Sequence, residues 1–203
     1  MEDIKSDIRS IEQKLIDSAI RVVKSGEGCL YVIQLGELEH EPMIINDLPE
    51  PFSIFEDFYQ KRLDILAKLD GACIIDKDGK LIAHSIKINN TKSFSGFGCR
   101  HSAAYTASLK GNTAILGSQE NKKVKIFREG KMIMQIDVLE KDIEKKTGEA
   151  VNILESIGIG ALSTLGAGML IPAAGVALLP GILIFGSSHF LVKSLLNRGE
   201  HHG

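Results

Sequence analysis

Two short stretches carry residue types suited to handling a phosphorylated ligand. One is Asp70-Gly71-Ala72, which opens an apolar run. The other is Gly98-Cys99-Arg100-His101-Ser102-Ala103-Ala104, further downstream at the expected start of a helix. A helix start presents backbone N–H groups and the positive end of the helix dipole, and Arg100 adds a planar guanidinium fork that matches phosphate oxygens. An anion is the natural occupant. Gly98 leaves room for a phosphate, His101 can donate to it or ligate a cation, and Ser102 can hydrogen-bond one of its oxygens. Asp70 falls between a helical pattern and a strand, so its carboxylate is expected at a sheet end, where open sheets commonly hold ligands. Gly71 permits close backbone approach there. A third stretch, Gly117-Ser118-Gln119-Glu120-Asn121, follows an apolar strand. In it Glu120 is a candidate ligand for Mg²⁺ or Mn²⁺, which favour carboxylate and phosphate oxygens. Each stretch also has a plainer reading. Asp-Gly steps are mostly turns, Arg100 and His101 suit a solvated helix start with Ala103, Ala104 and Ala107 packing close, and Glu120 suits a solvated hairpin turn.

The apolar spacing of the chain predicts the scaffold for these residues. Ile4, Ile8, Ile11, Leu15, Ala19 and Val22 recur at intervals of three and four among charged residues. That is an amphipathic helix over 4–23, docked on its own domain or used for self-association. Cys29-Leu30-Tyr31-Val32-Ile33, bounded by Gly26, Gly28 and Gly36, reads as a buried strand. Pro42, Pro49 and Pro51 punctuate the next segment. Ser53 is expected to cap a helix that carries Phe55, Phe58, Tyr59, Leu63, Leu66 and Leu69 and runs into Asp70. Cys73-Ile74-Ile75 and Leu81 to Ile88 read as strands joined by the turn Asp76-Lys77-Asp78-Gly79. A polar loop to Cys99, a helix from near His101 to Gly111, a strand over Thr113 to Leu116, and a hairpin of Val124 to Phe127 with Met132 to Ile136 complete the pattern. Helices mixed with hairpins predict an α/β (mixed α+β) fold, a mixed β-sheet flanked by helices.

The chain has 203 residues and 44% hydrophobic content, enough for one ordinary domain with appendages. A net charge of -2 offers no general attraction to a polyanion, so no nucleic acid is expected as a partner. Cys29, Cys73 and Cys99 are odd in number and widely spaced, which argues against a disulfide framework or a zinc site and fits a reducing cytosol. Met1-Glu2-Asp3 does not open an apolar signal segment. From Ser156 to Val192 there is no Asp, Glu, Lys or Arg, and about twenty apolar residues suffice to span a bilayer. An apolar helical segment associated with the membrane is therefore expected. Lys141, Lys145 and Lys146 before it, with Lys193 and Arg198 after it, slightly favour a hairpin returning to the cytoplasm over a single crossing. A glycine-rich helical hairpin buried in an oligomer is the alternative. The expected organisation is an N-terminal helix over 1–25, a nucleotide-binding domain over 26–140, a helical linker over 141–155, the apolar segment over 156–192, and a polar tail over 193–203.

The order D-G-A, then G-x-R-H-x-A-A, then S-x-E after an apolar strand resembles the diadenylate cyclase family over residues 28–138. The resemblance implies a mixed sheet flanked by helices and a homo-oligomer in which facing protomers each hold one ATP. It also implies a metal-dependent condensation of two ATP into cyclic di-AMP with release of two pyrophosphates. Asp70 would then serve the metal, Mn²⁺ or Mg²⁺, and the attacking ribose hydroxyl. Gly71 and Ala72 would approach the nucleotide, Arg100, His101 and Ser102 would hold phosphates, and Ser118 and Glu120 would match the third motif, Glu120 as a metal-associated acid. The catalytic domain would lie in the cytoplasm, beside the membrane. The chain departs from the family where Cys99 replaces the usual Thr, Ser102 a frequent second Arg, and Gln119 a frequent acid. A thiol is a poorer donor than a hydroxyl, so weaker phosphate contacts are implied at Cys99. A nucleotide sensor without turnover and a membrane scaffold that binds protein are the readings from other classes.

Overall fold

Strand-forming residues are spread along the chain in short apolar runs, and the structure gathers them into one mixed sheet. The computed structural model describes residues 2–44, 50–92, 98–158 and 176–185. The strands are β1 (Cys29–Ile33), β2 (His40–Pro42), β3 (Phe52–Ser53), β4 (Ala72–Ile75), β5 (Lys80–Ile88), β6 (Thr113–Ser118), β7 (Lys123–Arg128), β8 (Lys131–Asp137), β9 (Val176–Leu179) and β10 (Ile182–Phe185). The helices are α1 (Glu2–Lys24), α2 (Asp57–Ala67), α3 (Cys99–Leu109) and α4 (Ile143–Gly158). Strand order is β2-β5-β4-β1-β6-β7-β8-β10-β9, with β3 paired to β5. β1 and β4 run parallel, with Tyr31 opposite Cys73. β1 and β6 run antiparallel, with Cys29 opposite Gly117.

Side chains alternate across a strand, and here each face has its own cover. Cys29, Tyr31, Ile33, Cys73, Ile75 and Ile115 belong to one core with Ile11, Leu15, Ile16, Ala19, Ile20 and Val23 of α1. Leu30, Val32, Ala72, Ile74, Ala114 and Leu116 belong to the opposite core with Ala104 and Ala107 of α3. The N-terminal helix is thus docked on its own domain. Polar contacts reinforce it: Arg21 pairs with Asp64 of α2 at 2.8 Å, Arg128 of β7 pairs with buried Glu12, and Thr147 of α4 donates to Asp17 at 2.9 Å.

Two tight turns form as their residues dictate. Asp76 accepts from the backbone N–H groups of Asp78 (2.9 Å) and Lys80 (2.8 Å), and Glu129-Gly130 joins β7 to β8 with positive φ at both residues. The expected helix after Pro51 begins later than Ser53. Ser53 pairs with Lys80 in β3, its hydroxyl accepts from the Phe55 N–H at 3.3 Å, and α2 starts at Asp57. Strand pairing outside the segment overrides the local cap.

Residues 156–192 differ from one apolar helical segment where they are described. α4 ends at Gly158, and β9 and β10 form a hairpin around Pro180-Gly181, with Gly181 at φ 79°, that pairs with β8 through β10. Proline and glycine interrupt helical geometry, and the β8 edge offers unpaired backbone groups. The rest of that expected segment, and the tail over 193–203, lie outside the described residues. No helix among the described residues is long and apolar enough to cross a membrane.

Candidate functional site

The pairing of β1 with parallel β4 and antiparallel β6 brings the starts of β1 and β4 and the end of β6 to one end of the sheet. Asp70 and Gly71 immediately precede β4, Gly28 precedes β1, and Ser118 closes β6. α3 starts against this same end. Arg100, in its first turn, donates through Nη2 to Asp70 Oδ1 at 3.2 Å. The two stretches separated in sequence therefore meet through an ion pair. The Asp70 side chain is 85% exposed and that of Arg100 32%, so solvent screens the pair and a stronger anion can displace it.

The backbone is shaped around these two side chains. A Cβ added at Gly28 would lie 2.6 Å from Nη1 of Arg100 and 3.2 Å from the carbonyl oxygen of Gly117, so the guanidinium lies against bare backbone. Gly71 takes φ +95°, and a Cβ there would meet the backbone of β5 at 2.6 Å from the nitrogen of Ile86. The register between β4 and β5 shifts between Ala72 and Ile74, and Ser85, buried on β5, takes φ 50°. A bulge beside a ligand-binding sheet end is a recurrent way to aim neighbouring groups. Ala72 buries its methyl in the α3-side core, which leaves its backbone at the sheet end.

At the helix start, Gly98 is extended, has open space where a Cβ would stand, and accepts through its carbonyl from the N–H groups of His101 (3.1 Å) and Ser102 (3.2 Å). Cys99 is exposed and Ser102 half-buried. His101 turns inward, only 8% exposed, with Nε2 at 2.9 Å from Nζ of Lys125 on β7. Burial first, and the Lys125 charge second, push the imidazole down to about 4, so it is neutral at neutral pH. Burial first, then the Lys123 charge, pushes Lys125 below its ordinary value as well.

Ser118 is 8% exposed and accepts from Asn121 Nδ2 at 3.5 Å, while Glu120 stands exposed in the turn between β6 and β7. Among the described residues, no three His, Cys, Asp or Glu side chains cluster closely enough to hold a metal ion by themselves. A divalent cation here would need oxygens from a bound phosphate beside any carboxylate.

Asp70, Gly71 and Arg100 thus share one corner, with Ser118 at the same sheet end and His101 turned into the adjoining core. Two contributors were not among the expected residues. Gly28 registers in the sequence only as a strand boundary. Lys125 interrupts the apolar run Val124 to Phe127, and that charge inside a buried strand was the available signal.

Residues 10–132 match the family described as "DisA bacterial checkpoint controller nucleotide-binding". A diadenylate cyclase from Methanocaldococcus jannaschii is 31% identical over 106 residues, covering 48% of this chain and 33% of that protein, so the chain matches about a third of that relative's length. Among solved structures, a hypothetical membrane spanning protein from Bacillus cereus aligns with a TM-score of 0.45 at 19% identity, over 58% of this chain and 59% of that one. A double mutant of DacA from Staphylococcus aureus aligns with a TM-score of 0.44 at 19% identity, over 63% of this chain and 87% of that one.

Proposed function

This chain belongs to the DisA bacterial checkpoint controller nucleotide-binding family, and on that membership we propose that it is a diadenylate cyclase, condensing two ATP into cyclic di-AMP with release of two pyrophosphates. The observation that carries the reading is the Arg100–Asp70 ion pair, which joins the acidic and phosphate-suited stretches at one sheet end.

Arg100 is held loosely enough to exchange one partner for another. When a triphosphate enters, its oxygens compete with Asp70 for the guanidinium and meet the N–H groups at the start of α3. Gly98 leaves open space for the phosphates, and Gly28 leaves room for the guanidinium itself. The released Asp70 carboxylate faces the nucleotide, where it orients the ribose 3′-hydroxyl. That oxygen passes its proton to the Asp70 carboxylate and attacks the α-phosphorus of the second ATP; a new P–O bond forms, pyrophosphate leaves with the electrons of the broken P–O bond, the proton passes on to solvent, and the mirror-image step closes the ring. Arg100 and the helix start offset negative charge on the phosphates as it shifts toward the leaving pyrophosphate. The exposed Asp70, with Glu120 as a second acid and phosphate oxygens, fits the ligand set of Mg²⁺ or Mn²⁺, and such an ion would neutralise phosphate charge.

Each chain carries one such corner, so the two ATP molecules are brought together by two facing protomers. The charge-free run over 156–192 supports membrane attachment with the site on the cytoplasmic side. Purified protein incubated with ATP and Mn²⁺ or Mg²⁺, with products separated by chromatography and identified by mass, tests the reading. Cyclic di-AMP, formed at a rate per protomer that rises with protein concentration, is expected. ATP binding without product would make the chain a sensor, and neither binding nor product would remove the nucleotide reading altogether.

A further inference from the structure

The charge-free run that begins at Ser156 is held by the sheet in its middle. Ile182 is fully buried in the core that α1 covers, and β10 pairs with β8 in register, Leu183 opposite Gln135. The Pro180-Gly181 turn is held as well. The Gly181 carbonyl accepts from the Asp137 N–H at 2.7 Å and the Pro180 carbonyl from Nζ of Lys146 at 3.3 Å, while a Cβ at Gly181 would meet Glu140 at 2.5 Å. Before the run, α4 carries Val151 into the same core and ties Thr147 to Asp17 of α1. Residues 159–175 therefore start from one docked element and end on another, and residues 186–192 start from a docked strand.

These anchors limit what the run can do at a bilayer. Only helices and closed barrels span the hydrocarbon, because lipid offers no partner to backbone N–H and C=O groups. One helical crossing takes about twenty residues, and a crossing with return about twice that. The 17 residues of 159–175 have to return, and fall short. The seven of 186–192 reach only ~10 Å as a helix before Lys193. β9 sets a further limit: among the described residues it pairs with β10 alone, and an open strand edge does not occur within hydrocarbon. The hairpin stays at headgroup level or above it.

We infer that the chain binds a lipid surface from one side without crossing it, through apolar arms that join the sheet at the end opposite the nucleotide corner. The register gives the direction. Ser118 at the corner lies opposite Lys123, Lys123 opposite Asp137, and the neighbouring Ile136 opposite Ile182, so the Pro180-Gly181 turn shares the corner's end of the strands. Val176 and Phe185, where the arms join, pair with each other at the other end. A leaflet engaged there leaves the Asp70–Arg100 corner open to nucleotide and to a facing protomer. It also leaves Lys193 and Arg198 on the same side of the membrane as the catalytic domain.

The inference rests on the membrane attachment proposed above, and its test separates the two. An epitope tag is fused after Gly203 of the full chain, the protein is produced in bacteria, and trypsin, which cuts after Lys193 and Arg198, is applied to intact spheroplasts and to everted membrane vesicles. The expected chain sediments with membranes, keeps its tag in spheroplasts and loses it in everted vesicles. Loss of the tag in spheroplasts, or its protection in everted vesicles, overturns the inference and leaves the attachment standing. A chain absent from the membrane pellet overturns the attachment, and the inference with it. A second arm asks whether the hairpin stays paired at the membrane. Gln135→Cys combined with Leu183→Cys should be joined by a short thiol cross-linker in the membrane-bound chain as readily as in detergent, and neither single variant should be. Cross-linking in detergent but not in membranes would show the hairpin leaving the sheet for the bilayer, which overturns the inference. The tag result needs no substitution, so it decides even where the double variant does not fold.

Discussion

Arg100 touches two things that explain its place, the carboxylate of Asp70 and the bare backbone of Gly28, and it stands in the first turn of α3. Removing the space at Gly28 should therefore act through Arg100. Gly28→Ala places a methyl 2.6 Å from Nη1 and so displaces the guanidinium, and the expected result is a fall in cyclic di-AMP formation of about ten- to a hundredfold with a small change in melting temperature; unchanged turnover would show that the guanidinium does not need that position. His101 allows a second test at this scale. Its imidazole is held at about 4 in the folded chain, against about 6.5 when unfolded. Between those values the unfolded chain binds more protons, so this contribution to stability is complete above about pH 6.5 and is lost as pH falls toward 4. Urea unfolding at neutral pH and at about pH 4.5 should show a smaller acid loss in His101→Gln than in wild type, and an equal loss in both would contradict the assignment.

Elements, rather than single residues, hold the corner together. Gly71 links the end of the α2 region to β4 at φ +95°, with β5 backbone where a side chain would begin. Gly71→Ala should destabilise the fold by at least ~2 kcal/mol, since strain and collision act together; denaturant unfolding measures this, and a midpoint equal to wild type would show that the bulge yields freely. Much of this level was legible beforehand. The stripe from Ile4 to Val22 announced α1, the Asp76 to Gly79 turn announced the β4–β5 hairpin, and the glycine at 98 with Arg100 announced the start of α3. The parts that were not legible depend on partners distant in sequence. Ser53 is a sound cap locally, yet Lys80 recruits it into β3. Val176 to Phe185 carries no charge and reads as part of an apolar helix, yet the β8 edge takes it as a hairpin. Lys125 meets His101 only because β7 lies beneath α3, and no local pattern encodes that meeting.

At the scale of the whole molecule, two proposals reach beyond one protomer: attachment to a membrane and reaction between facing sites. The first predicts that the full chain floats with phosphatidylcholine vesicles in a density gradient while a chain ending at residue 158 remains below; co-flotation of both would place the attachment elsewhere. The second depends on the corner being a true nucleotide site, and Asp70 is the residue on which that claim turns. Asn keeps the shape of Asp and removes its charge, and the side chain is 85% exposed, so Asp70→Asn should fold as wild type does. The decisive measurement is cyclic di-AMP formed from ATP with Mn²⁺ or Mg²⁺ by wild type and Asp70→Asn side by side. The account predicts product from the wild type and a loss of at least about a hundredfold in the variant; product undiminished in Asp70→Asn, or absent from the wild type, would contradict it.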